Sequence, residues 1–323
     1  MAFDINKKTW SDKMLDAAEI DKAKLPDVVP SGQIVGEVSS KIAKELGFKK
    51  KVVLVSGAHD QPAGALGSGI IKEGIAMDAI GTVECITPAF SKLNINKAML
   101  KYNYCCSPHA LKDLYVTLAY NFTGGSLLKW YRDTFGQYEK KIAKKTKKEV
   151  YDIILKDIPK DPTNIFILPH FIGTGTPYFD PKSKGAILGL DISTKKNEIV
   201  KAVLEGISYE IKLNIENLKK AGIEMNEIRA IGGGAKSDIW LQLKADMFNK
   251  KVVSLNVTEC ACLGVAILGG IAIGKIKSVS ELNRIIKARK VFYPDIKRSK
   301  LYNEKFEIYK KIYPTIKNLS HEM

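Results

Sequence analysis

Arginine is scarce in this chain. Only Arg132, Arg229, Arg284, Arg289 and Arg298 stand among 51 basic residues, in 323 residues with a net charge of +16. Base readout and bidentate phosphate clamping depend on guanidinium groups. The lysines are scattered, apart from knots such as Lys140-Lys141 and Lys144 to Lys148. The charge therefore reads as a solvated surface that attracts small anions such as nucleotides, and a nucleic-acid partner is not expected. Cysteines number five and no CxxC occurs, so neither a disulfide framework nor a zinc ribbon is implied. Cys105, Cys106 and His109 could form part of a metal site, but free thiols in a reducing compartment are the plainer reading. The four histidines argue weakly against His-centred catalysis. No apolar run approaches the roughly 18 residues of a membrane span. The opening MAFDINKKTW lacks the apolar core of a secretory signal, which makes a cytoplasmic location the expectation. GxxxxGK[ST], GxSxG, HExxH and calcium-loop patterns are all absent.

What is present suits a soluble globular chain. Apolar residues make up 45% and charged residues 27%, near the average for such proteins, and the length allows one large domain or two modest ones. Residues 1–30 read as a lead-in segment with turn chemistry from Pro26 to Gly32. A short helix is expected at Lys41–Leu46 and a buried strand at Val52–Val55. A small-residue helix follows at Gln61–Ser68. Strands are expected at Gly74–Ile80, Val83–Thr87, Tyr102–Cys106 and Leu114–Tyr120. Helices are expected at Ser126–Phe135, about Asn197–Ala221, Ser237–Phe248, Ala261–Ile273 and Leu301–Ile316. Residues 228–255 have the pattern strand, glycine loop, helix, strand. In the last helix Tyr302, Phe306, Tyr309 and Tyr313 recur at helical spacing, which predicts a docking face.

Three glycine turns sit where predicted strands end: Gly81-Thr82, Gly124-Gly125 and Gly232-Gly233-Gly234. Such turns let backbone N–H groups approach an anion. Each alone is equally a tight turn with no ligand; three in one α/β chain point toward a phosphate-bearing ligand. Asp60 follows the predicted strand at Val52–Val55 and precedes the small-residue helix. It could stand at the lip of a sheet where α/β folds bind ligands, or it could simply cap the helix.

A longer pattern runs through these residues. Gly185-Ala186-Ile187-Leu188-Gly189-Leu190, then Glu198-Ile199, then Ala202-Val203-Leu204-Glu205 closely resembles the second signature of the FGGY carbohydrate kinases. The segments Gly57 to Gly69, Gly81-Thr82, Gly124 to Trp130, Gly232 to Asp238 and Glu259 to Ala266 follow in family order. The resemblance covers roughly residues 1–315 and is closest to the xylulokinase-like branch. It implies an α/β chain: a ribonuclease-H-like lobe of the actin/sugar-kinase/Hsp70 ATPase fold. The family's Asp-x-Gly-Thr phosphate loop is not found, so the resemblance is to the C-terminal lobe, with the N-terminal lobe expected to be missing and to be a partner. Residues 1–30 resemble the end of that first lobe, 31–298 the second lobe, and 299–323 a helix docking on it.

The resemblance also assigns roles. Asp60 matches the catalytic base and, with Gln61, the substrate-binding positions. Gly81 and Thr82 match the loop at the terminal phosphates of ATP. Gly125 and Lys129 match positions lining the nucleotide, and Gly233, Gly234, Ala235, Ser237 and Asp238 match the adenosine loop. ATP and Mg2+ are the implied cofactors, with no metal ligand in this lobe. The implied substrate is a sugar or polyol, with a pentulose such as xylulose leading, and a homodimer is possible. The alternative is a truncated, non-catalytic nucleotide-binding or interaction module of the same fold.

Overall fold

The computed structural model describes residues 2–323. At its start β1 (Phe3–Asp4) and β2 (Thr9–Trp10) form an antiparallel ribbon, with Phe3 and Trp10 edge to face at 6.4 Å. Ser11 caps α1 (Asp12–Ala17) by accepting the Met14 N–H. Next, β3 (Ile34–Glu37) and β4 (Val53–Val55) pair antiparallel around α2 (Ser40–Glu45). The strand expected at Val52–Val55 exists but is not core: it belongs to a separate two-stranded sheet, Val53 and Val55 are only half-buried, and Leu54 is 48% exposed.

The small-residue helix α3 (Asp60–Gly67) leads into the main sheet. There β5 (Gly74–Ile80) and β6 (Glu84–Phe90) make a hairpin. After α4 (Lys97–Lys101), β7 (Ser107–Pro108), β8 (Tyr115–Val116) and β9 (Ala119–Asn121) extend the sheet on the β6 side. No strand forms over 102–106. Tyr102 closes α4, Asn103 adopts a positive φ of 59°, and Tyr104 turns inward to donate its hydroxyl to Asn214 Oδ1 at 2.9 Å.

Helices α5 (Gly125–Phe135), α6 (Gln137–Thr146) and α7 (Val150–Ile154) follow, then the hairpin of β10 (Phe166–Leu168) and β11 (Ala186–Leu188). The long helix α8 (Lys196–Lys220) is buried over most of its length and forms the spine of the core. The predicted strand–helix–strand unit appears as β12 (Met225–Ile231), α9 (Asp238–Phe248) and β13 (Lys251–Leu255). Helices α10 (Cys260–Ala272) and α11 (Leu282–Ile285), strand β14 (Ala288–Phe292) and helix α12 (Ile296–Glu322) complete the chain.

The main sheet has the order β14-β13-β12-β5-β6-β8-β7, with β9 also on β6. Strand β12 runs parallel to both β5 and β13, whereas β5 and β6 are antiparallel. An antiparallel meander thus passes into a parallel pair at β5/β12, the kind of junction at which α/β sheets open toward ligands. The glycines of α3 and α10 explain why both helices favour small residues. A side chain at Gly67 would collide with the Cys260 carbonyl, and one at Gly264 with that of Ala63.

The aromatic stripe of α12 packs on α8 and carries polar tips to buried acids. Tyr302 donates to Glu205 at 3.1 Å, Tyr309 to Glu210 at 2.6 Å and Tyr313 to Asp180 at 2.8 Å. Each ring buries a large apolar body while its hydroxyl finds an acceptor.

Candidate functional site

Parallel pairing makes β5 and β12 end together, so the turns that follow them lie side by side. A methyl group on Gly232, whose φ is +85°, would sit 2.8 Å from the Ile80 carbonyl oxygen, and one on Gly234 would strike the Ile80 side chain. The third turn closes from the other side. Gly124 N–H and Ser126 N–H donate to the Thr82 carbonyl at 2.9 and 3.2 Å, and Gly125 N–H donates to that of Gly81 at 2.8 Å. A methyl on Gly125 would lie 2.8 Å from Gly81 O, and one on Gly124 2.7 Å from the Val83 carbonyl carbon. Three glycine turns far apart in sequence therefore meet at one end of the sheet, and Gly124, Gly125 and Gly232 stand where backbone packs on backbone.

That packing sorts the N–H groups. Those at the start of α5 are engaged with the turn, and Gly81 N–H donates to Val83 O at 3.0 Å. The N–H groups of Thr82 and Gly233 donate to no group among the described residues. Both residues are exposed, and a Cβ on Gly233 would meet nothing within 4 Å. Two free donors on adjoining turns, next to a helix N-terminus, form a concavity suited to phosphate oxygens.

The other adenosine-loop candidates hold this loop in place. Ala235 is buried beneath it. The Ser237 hydroxyl caps α9 by accepting the Trp240 N–H at 3.3 Å. Asp238 is clamped by Arg289 at 2.6 Å and Lys290 at 2.8 Å. Burial pushes its carboxyl up, but the hydrogen bonds and charges of these two cations outweigh that and keep it below the ordinary range. Lys129 projects from α5 as an exposed cation.

Asp60 and Gln61 open α3 on the sheet's other face. His59, not Asp60, takes the N-cap position and makes no capping side-chain bond. The Asp60 carboxylate accepts its neighbour's N–H, from Gln61 at 2.7 Å, and lies 2.8 Å from His59 Nδ1, with both side chains more than two-thirds exposed. Gln61 reaches the sheet, accepting the Thr87 hydroxyl at 3.4 Å. A cavity of about 760 Å³ opens beside this helix start, bounded by Ala58, His59 and Pro62, by Gln33, and by the segment around Leu111. Among the described residues Asp60 thus makes no hydrogen bond or ion pair with the three turns.

Other sequence candidates have structural explanations. His109 accepts the Leu111 N–H at 2.8 Å on Nδ1, and burial pushes its pKa down to about 4. No group of three or more His, Cys, Asp or Glu side chains is placed to hold a metal among the described residues. The long Gly/apolar/acidic signature spans β11 and the first turns of α8. Glu198 accepts the Lys195 N–H at 2.8 Å, and Glu205 is buried against Thr163 and Tyr302.

One cluster was not legible in the sequence. Lys244 of α9 lies fully buried between Asp78 of β5, at 2.9 Å, and Glu84 of β6. These acids flank the Gly81–Thr82 turn on the face toward α9. Alternation placed both in buried strands, but nothing in the spacing linked them to a lysine some 160 residues away.

A sheet with this order, ending in three converging glycine turns, defines the class: an α/β lobe of the actin-like ATPase fold. The chain belongs to the FGGY family of carbohydrate kinases, whose C-terminal domain model matches residues 80–273 and whose N-terminal domain model matches residues 1–67. The expectation of a C-terminal lobe alone is therefore corrected. N-terminal-domain residues are present, and a missing first lobe is not retained as a partner. That expectation rested on absent first-lobe features such as the Asp-x-Gly-Thr loop and on residues 1–30 read as the end of that lobe, whereas the N-terminal domain model extends to residue 67. A xylulose kinase of Staphylococcus epidermidis is 31% identical over 302 residues, which are 92% of this chain and 58% of that protein. A glycerol kinase of Shewanella pealeana is 30% identical, covering 94% of this chain and 59% of that one. The ligand-bound xylulose kinase structure from Lactobacillus acidophilus matches with a TM-score of 0.86 at 25% identity, over 98% of this chain and 62% of that one. The chain thus spans about three-fifths of the length of these relatives.

Proposed function

We propose that this chain serves the ATP-dependent phosphorylation of a sugar or polyol hydroxyl. The observation that carries this reading is the meeting of three glycine turns at the β5/β12 end, with the Thr82 and Gly233 N–H groups free. Phosphoryl transfer through a loose transition state needs in-line positioning and charge stabilisation more than covalent chemistry. In this reading Gly81 and Thr82 meet the terminal phosphates, and Gly125 and Lys129 line the nucleotide. Gly233, Gly234 and Ala235 receive the adenosine, on a loop held by Ser237 and Asp238. Asp60 accepts the proton of the attacking hydroxyl, and Gln61 orients the polyol. Residues 31–298 form the nucleotide-binding lobe, 1–30 lead into it, and 299–323 dock on it. Mg2+ would arrive on the nucleotide's phosphates, as it usually does in such sites.

A pentulose such as xylulose is the leading substrate, supported by the xylulose kinase relatives; the glycerol kinase relative supports the wider polyol class. The test is a phosphorylation assay across pentuloses and glycerol with Asp60→Asn. A general base contributes about 10²–10⁴-fold, so turnover should fall by that order while MgADP affinity stays unchanged. Unchanged turnover would return Asp60 to a helix-start role, and no turnover of any polyol by the unaltered protein would remove the kinase reading.

A further inference from the structure

Two carboxyls and one ammonium are sealed together beneath the Gly81–Thr82 turn. Asp78, Glu84 and Lys244 are each 0% exposed. Ile80 and Glu84 are the last pair of the hairpin, so the Glu84 side chain hangs from the strand end that carries the turn. With all three groups ionised the cluster would hold one uncompensated negative charge in a medium without water. Two buried carboxylates that share a site do not both ionise readily.

The hydrogen bonding agrees. One oxygen on each carboxyl, Asp78 Oδ1 and Glu84 Oε2, has no donor, which is costly for a buried acceptor. A single proton on one carboxyl turns an orphaned acceptor into a donor for the other. The charged groups that face Glu84 are Asp78 from β5 and Lys244 from α9. Lys244 in turn lies over the rings of Trp240 and Phe248, at 5.7 and 5.2 Å. From β9 the residue paired with Glu84 is the neutral Asn121. Cys85 points to the other face, and burial pushes its thiol up to about 12.

We infer that Asp78, Glu84 and Lys244 form a one-proton site whose occupancy sets the charge beneath the phosphate turn, so that nucleotide affinity depends on pH through a group that never touches nucleotide. The inference rests on the nucleotide reading of that turn. Burial, the main cause, together with the Asp78 charge, pushes Glu84 up to about 8 against the pull of Lys244. The sign follows. Below that value the cluster is neutral. Above it a net negative charge stands under the turn and repels phosphate. Lys244, Asp78 and Glu84 are positioning residues in this scheme.

The experiment is calorimetric titration of the full chain with MgADP between pH 6.5 and 9, for the unaltered protein and for Glu84→Gln, an isostere that cannot ionise. Asp78→Asn serves as the second variant should Glu84→Gln fail to fold, and thermal melts check both. Affinity of the unaltered chain should fall by roughly three- to tenfold across that range, as expected for one buried charge near the ligand. The variant's profile should be flat by comparison. Matching profiles in chains that both bind MgADP would overturn the inference and leave the nucleotide reading standing. Absence of MgADP binding at every pH would remove the nucleotide reading, and the inference with it. The Glu84 side-chain carboxyl carbon, followed by NMR without nucleotide, should titrate well above an ordinary glutamate; an ordinary titration there would equally overturn the inference.

Discussion

Gly233 and Gly234 are neighbours that tolerate different changes. A side chain at Gly234 would strike Ile80 and Trp240, whereas one at Gly233 would meet open space. Gly234→Ala should therefore cost on the order of 1–3 kcal/mol, the usual range for overpacking, seen as a lower melting temperature. Gly233→Ala should leave the melt unchanged. A Gly234→Ala variant as stable as the parent would show that the loop relaxes more easily than its contacts suggest. In the sequence both residues read simply as glycine in a turn. Which one faces open space and which faces the sheet depends on Ile80, about 150 residues away. Asp60 was legible as a carboxylate at a helix start, but its two readings could not be separated from spacing alone; only the structure shows His59 at the capping position.

Elements with strong periodicity were legible almost to the residue. The expected strand Gly74–Ile80 and helix Ser126–Phe135 appear as Gly74–Ile80 and Gly125–Phe135. The failures have physical causes. Val52–Val55 looked like a core strand because its residues are apolar, yet it lies in a two-stranded sheet apart from the main one, where Val53 and Val55 are only half-buried and Leu54 is exposed. Residues 102–106 looked like a strand because aromatics and cysteines favour pleated surfaces, yet Tyr104 is held by Asn214 of α8. The stripe on α12 was visible, but its acceptors were not, since acids such as Glu205 and Glu210 within a helix ordinarily face water. They make that docking sensitive to small changes. Tyr309→Phe removes the donor to Glu210 Oε1 while keeping the ring, and so leaves a buried carboxylate oxygen less well satisfied. The expected loss is about 1–3 kcal/mol, measured by denaturant unfolding; a loss near zero would mean that another donor takes over, His170 at 3.3 Å being the candidate.

Across the whole molecule the strongest sequence signal and the site are different things. The FGGY-like signature supplies β11 and the first turns of the spine helix α8, so it marks the core of the fold. The three glycine turns are shorter and less distinctive, and they come together only because β5 and β12 lie parallel. The buried cluster at Lys244 also acts on the molecule as a whole. Glu84 has a folded-state pKa above its unfolded value, so its contribution to stability is full below the ordinary glutamate range and is lost as pH rises through about 8. The melting temperature should therefore drop more between pH 6 and pH 9 in the unaltered chain than in Glu84→Gln. Equal drops would show that Glu84 takes no part in the pH dependence of folding.

The most direct test of the nucleotide site is to titrate the chain with MgADP in a calorimeter, then repeat with Gly233→Asp. This substitution enters open space in the fold and places a carboxylate where phosphate or ribose would lie. Saturable binding that vanishes in the variant, with the melting temperature unchanged, is the expected result. Equal binding by both chains, or none by the unaltered one, would contradict the assignment of the three converging turns to a nucleotide.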